Sequence, residues 1–132
     1  MIGIVIVAHG GLAREYLSAV EHVVGRQSAM TAISIEDDHD RAAKQAEISA
    51  AAEAVDQGAG VVVVTDMFGG SPSNLSLSAC TMQNRRILYG ANLPMLIKLT
   101  SVCAGDDMAA ALEGAQIAGR KYINVASQVL SA

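Results

Sequence analysis

The sequence predicts a single-domain α/β protein with a mainly parallel sheet and helices on both faces. Three observations carry that expectation. Apolar runs too short for helices recur along the chain and lack the alternation of a half-exposed strand, so they read as strands buried on both faces. Longer segments with helical spacing separate them. Glycines and prolines stand at the junctions, where each element has to stop. Strand and helix alternate four times, the pattern of a parallel sheet with crossover helices.

Ile2 to Val7 is the first predicted strand, delivering His9 into Gly10-Gly11. Leu12, Tyr16, Ala19, Val20, Val23 and Val24 then recur at helical spacing, and Gly25 is a natural stop. Ala29 to Ile35 is a shorter strand. The carboxylates Glu36-Asp37-Asp38 suit a helix start, and an alanine-rich helix is expected from Asp40 to Gln57. Gly60 to Thr65, with four consecutive valines, is the clearest strand. Pro72 fits the first turn of a helix running to about Met82. Arg86 to Gly90 predicts a fourth strand, Met95 to Val102 and Asp106 to Gly119 two helices. Tyr122 to Ala126 has strand character, as an antiparallel edge or as a strand paired with a second subunit.

The totals restrict the function. A chain of 132 residues is one domain. With 52% apolar and 17% charged residues it is not disordered. A net charge of −4 with scattered basic residues argues against a nucleic-acid partner. Cys80 and Cys103 form no CxxC or Cys/His cluster, which favours buried thiols in a reducing cytoplasm and no metal site. The apolar N-terminus lacks the basic flank and cleavage site of a signal peptide, and no run approaches the ~20 apolar residues of a membrane span.

In open α/β sheets ligands sit beyond the carboxyl ends of the strands. His9, Asp66 and Asn92 each follow a predicted strand, so topology gathers them at one edge. A phosphoryl carrier needs that combination. Histidine changes charge near physiological pH, and a neutral imidazole nitrogen can attack phosphorus. A carboxylate, here Asp66, would fix the ring tautomer and stabilise imidazolium character. The Gly69-Gly70-Ser71 turn entering a helix would supply backbone N–H groups and a hydroxyl to phosphate oxygens. No metal or cofactor is required. Taken singly, Asp66 is also consistent with a cap and the glycines with an ordinary turn. His22 and His39 are expected in solvent, and Ser71, Ser73, Ser76 and Ser78 on the cap and exposed face of their helix.

Other chemistries fit less well. A receiver domain would need an acidic pair after strand one, where this chain has Ala8-His9. A histidine phosphatase of the phosphoglycerate mutase type expects Arg-His-Gly, and residue 8 is alanine. Neither G-x-G-x-x-G nor a P-loop lysine is present for nucleotide binding.

The segments IVIVAHG, VVVVTDMFGGSPSN and GANLPML together resemble the IIA domain of the mannose family (type 4) in the bacterial phosphoenolpyruvate-dependent sugar phosphotransferase system. The resemblance covers essentially residues 1–132. It implies that His9 accepts a phosphoryl group from the phosphohistidine of HPr and passes it to a histidine on a IIB component. Asp66 matches the aspartate bonded to the active histidine, Ser71 the serine of the phosphate-binding turn; Gly10, Phe68 and Asn92 lie near the site. It further implies a cytoplasmic homodimer exchanging a C-terminal antiparallel strand, with no direct insertion into the membrane. The chain stops at Ala132 without a linker, so IIB is expected to be separate or absent. Were it absent, the resemblance implies a regulatory IIA whose phosphorylation state controls a partner without sugar transport. A subunit that phosphorylates dihydroxyacetone kinase shares the early histidine but resembles the Gly-Gly-Ser-Pro segment less.

Overall fold

The computed structural model describes residues 1–81 and 84–130. Strand β1 (Gly3–His9) leads to helix α1 (Leu12–Val24), β2 (Met30–Ile35), α2 (Arg41–Val55) and β3 (Val61–Thr65). Then follow α3 (Ser71–Ser76), β4 (Arg85–Leu88), α4 (Leu93–Val102), α5 (Met108–Lys121) and the short α6 (Ala126–Leu130). The four strands form one parallel sheet in the order β2-β1-β3-β4.

The uninterrupted apolar runs are explained by two-sided burial. Along β1, Ile4, Ile6 and Ala8 face one core with Val62, Val64 and Leu88, covered by residues of α1, α4 and α5. Val5 and Val7 face the other core with Val61, Val63, Ile33 and Ile35, covered by Ile48, Ala52 and Leu75 of α2 and α3. Both faces need apolar side chains, so the alternation of a half-exposed strand is lost. Short polar side chains begin three of the helices. Asp40, Asn92 and Asp107 accept the N–H groups of Ala43, Met95 and Ala110 at 3.1, 3.0 and 3.0 Å, satisfying donors that the helix itself leaves open.

Two expectations need correction. The helix after Pro72 ends at Ser76 and tightens into a 3-10 turn over Leu77–Cys80; its expected end at Met82 lies outside the described residues. The serines explain the change. Ser76 Oγ donates to Pro72 O at 2.6 Å and Ser78 Oγ to Leu75 O at 3.4 Å, competing for the carbonyls of the helical ladder. Ser73 and Ser76 are also buried rather than on an exposed face. The second correction concerns Tyr122 to Ala126, which is not a strand in the single chain. The chain leaves α5 through a turn and coils into α6, with Val125 N–H donating to Gln128 Oε1 at 3.1 Å. Strand geometry requires a hydrogen-bonding neighbour, and among the described residues no strand of the sheet pairs with this tail.

Candidate functional site

The strand order places the site. From β1 the chain crosses to β2 on one side and then to β3 on the other, so the winding reverses between β1 and β3. Crevices at such reversals, beyond the carboxyl ends of the strands, are where open α/β sheets bind ligands. The register pairs Val7 with Thr65, so the residues emerging next are Ala8-His9 and Asp66.

His9 and Asp66 are bonded twice. Asp66 Oδ2 lies 2.7 Å from His9 Nδ1 and accepts the His9 backbone N–H at 3.0 Å. A carboxylate only accepts, so Nδ1 carries the proton and Nε2 is left with its lone pair in the neutral ring. Burial alone would raise the Asp66 carboxyl, but the His9 backbone N–H, the His9 ring and the Met67 N–H outweigh it and lower the pKa. Asp66 Oδ1 accepts that Met67 N–H at 3.0 Å, so both carboxylate oxygens are engaged. The His9 side chain is 49% exposed and that of Asp66 12%, a held carboxylate presenting an open imidazole.

Gly10 continues the ladder, donating to Ile35 O at 2.9 Å, and its φ of +55° lets the chain turn sharply into α1. Gly70 lies against the ring. A Cβ there would meet His9 Cε1 at 2.9 Å and Nε2 at 3.2 Å. The turn thus borders the edge of the imidazole that Asp66 does not hold. Gly70 and Ser71 open α3, whose N-terminus has no side-chain cap. Gly69 differs from expectation: its N–H is accepted by Ser73 Oγ at 3.1 Å, within the turn.

Asn92 has a structural task. Its Oδ1 caps α4 through Met95 N–H, and its Nδ2 donates to Gly119 O at 2.9 Å, tying α4 to the end of α5. It adjoins the site through Ala91, whose N–H donates to Thr65 O at 3.0 Å. Phe68 is largely exposed and packs edge-on against Tyr89, with ring centroids 5.0 Å apart. Sequence reasoning gave Tyr16 only a place on a helix face. Its hydroxyl donates to Ala91 O at 3.1 Å, and burial together with the negative Asp66 raises its pKa. The available signal was a tyrosine at a core-facing position, whose hydroxyl needs a partner.

Burial pushes both the Cys80 and Cys103 thiols up to about 11, so neither is a ready nucleophile. Among the described residues no three His, Cys, Asp or Glu side chains converge as metal ligands, and no helix is long and apolar enough to cross a membrane.

A parallel α/β sheet with an exposed histidine held by a carboxylate at its reversal point defines a class of protein suited to group transfer on imidazole. Residues 3–116 match the family model described as the fructose IIA component of the PTS system, and the chain belongs to that family. Solved structures share the fold. The phosphotransferase system component EIIA from Streptococcus agalactiae is 24% identical with a TM-score of 0.86, over 97% of this chain and 99% of that one. The mannose/sorbose-specific IIA subunit from Enterococcus faecalis is 22% identical with a TM-score of 0.82, over 94% and 93%. A sigma-54 interaction domain protein from Enterococcus faecalis is 14% identical with a TM-score of 0.75, over 99% and 97%. No curated protein matches the chain.

Proposed function

We propose that this chain is a single cytoplasmic IIA domain and a phosphocarrier, taking a phosphoryl group from phospho-HPr onto His9 and passing it to a IIB component. The observation that carries the reading is the His9–Asp66 bond of 2.7 Å with Gly70 on the opposite ring edge. Nδ1 is occupied, so Nε2 is the attacking atom. Its lone pair forms the new N–P bond while the N–P bond of the donor phosphohistidine breaks. The Nδ1 proton stays against Asp66, whose negative charge stabilises the imidazolium that develops. The Gly70 and Ser71 N–H groups and the Ser71 hydroxyl are the proposed donors to the transferring oxygens. One phosphoimidazole replaces another, so positioning and charge stabilisation make up most of the catalysis.

Exposure favours a protein donor. The imidazole stands half open, Met67 and Phe68 of the loop after Asp66 are apolar and exposed, and another protein's histidine can reach the ring without any lid opening. The functional unit is proposed to be a homodimer exchanging C-terminal strands. The deciding experiment is incubation with phosphoenolpyruvate, enzyme I and HPr, read by intact mass and acid lability. An acid-labile phosphoryl on His9 is expected. No label, beside a control carrier that is labelled, would reduce the chain to a binding module of the same fold. If label accumulates but no IIB drains it, the regulatory alternative takes over, in which phosphorylation controls a partner.

A further inference from the structure

The serines of the segment after Gly70 look alike in sequence, yet one of them occupies a singular place. Ser73 is 3% exposed, while the turn that its hydroxyl reaches is open to solvent. Ser73 Oγ accepts the Gly69 N–H at 3.1 Å across the turn. Gly69 has nothing within 4 Å of where a Cβ would stand and takes a φ of +87°, so side-chain packing does not hold it. The helix carrying Ser73 is held by burial: Leu75 is fully enclosed in the core, and Pro72 and Ser76 are buried beside it. Ser73 therefore tethers a loose glycine turn to a fixed helix. The next residue of that turn, Gly70, borders Cε1 and Nε2 of His9.

We propose that Ser73 is a positioning residue for phosphoryl transfer, whose bond to Gly69 N–H holds Gly70 against the reactive edge of His9. Resting on the phosphocarrier reading, it deepens that reading. Ser73 touches neither the ring nor the phosphoryl group; it acts through the turn. An untethered turn samples other conformations, and the N–H groups meant for phosphate oxygens must be reordered at each transfer. Reordering costs rate rather than donor affinity, since positioning effects act on the reacting geometry.

The test compares S73A and S73T with the unaltered protein, using phospho-HPr as donor and following the Gly69 amide by hydrogen exchange. S73A is expected to lower kcat about tenfold, the scale of one lost neutral hydrogen bond, with the KM for phospho-HPr unchanged and Gly69 exchange accelerated. S73T, which keeps the hydroxyl, is expected to restore much of kcat and the slow exchange. If S73A is too unstable to assay, S73C serves, having the same shape in a slightly larger side chain and only a weakly accepting sulfur. A wild-type kcat in S73A or S73C would overturn the proposal while leaving His9 phosphorylation intact. A kcat that falls only in step with melting temperature, unrestored by threonine, would also overturn it. Failure of the unaltered protein to accept phosphoryl at all would remove the phosphocarrier reading, and this inference with it.

Discussion

Asp66 grips His9 twice with one oxygen, accepting ring Nδ1–H at 2.7 Å and the backbone N–H of the same residue at 3.0 Å. The side-chain bond sets the tautomer, and the backbone bond sets where the ring begins. Together they fix both the identity and the position of the free nitrogen, so the pair is a built unit rather than a chance contact at a strand end. His9→Ala removes the acceptor and should abolish phosphorylation by phospho-HPr, as judged by intact mass. Full labelling of that variant would place the phosphoryl elsewhere.

Asp66→Asn tests the charge. An amide of the same shape can still approach Nδ1, but it cannot stabilise a developing imidazolium equally well and can favour the other tautomer. Transfer should slow by about 10²–10⁴-fold in rapid-quench measurements, with the fold retained. The same substitution has a pH signature. Because the Asp66 pKa is lowered on folding, its contribution to stability is complete above the ordinary carboxylate value and is lost as pH falls through the folded value. Acid unfolding of the asparagine variant should therefore be less steep in that low window. Superimposable acid limbs would show that Asp66 gains nothing from its partners.

The two turn glycines should respond differently to alanine. Gly70 has φ −85° and ψ 172°, which alanine adopts freely, but its Cβ would run into the His9 ring at 2.9 Å. Gly70→Ala should keep its melting temperature within a few degrees yet lose transfer by about a hundredfold, through displacement of the ring. Gly69→Ala meets no neighbour but must take a positive φ, so it should lose about 1 kcal/mol of stability in urea titration. A Gly70→Ala protein that transfers at the normal rate would show that the turn does not crowd the reactive edge.

How much of this was readable in advance depends on the kind of interaction. The buried strands announced themselves, because Val61 to Val64 must satisfy two apolar faces at once. His9 and Asp66 were legible because strand ends in a parallel sheet share one edge. What escaped were hydroxyls and tails. Ser73 and Ser76 could not be told from exposed cap serines, since one hydrogen bond into a turn leaves no periodic trace. Tyr16 looked like any core-facing residue of α1. Arg85 is charged, yet it is buried, donating to Ala79 O at 3.3 Å with Asp56 3.9 Å away, and nothing in the local sequence marks that burial. The tail at Tyr122 has strand composition, and composition cannot say whether a pairing edge is within reach.

Asn92 separates structural support from chemistry. It sits beyond a strand end, as a site residue would, but both ends of its side chain are taken up by α4 and α5. Asn92→Ala should cost about 1–2 kcal/mol in denaturant unfolding, from the lost cap and the unpaired Gly119 carbonyl. Unchanged stability together with collapsed transfer would instead make its amide part of the phosphoryl site.

The tail gives the clearest prediction about assembly. Tyr122, Ile123, Val125, Val129 and Leu130 are all more than half exposed, a concentration of apolar surface that a single chain leaves in water. Among the described residues β4 pairs with β3 and stands last in the sheet order, so it is the strand a second chain would meet. One exchange of partners covers that apolar surface, if each tail adds beside β4 of a second copy as an antiparallel strand. That exchange requires the α6 coil to open, a modest cost for one helical turn with no buried residue. Truncation after Gly119 should convert a dimer to a monomer in sedimentation equilibrium, with His9 and Asp66 still paired because both lie in the retained sheet. A truncated protein that remains a dimer would show that the subunits meet through another face, and the exchanged-strand reading would fall.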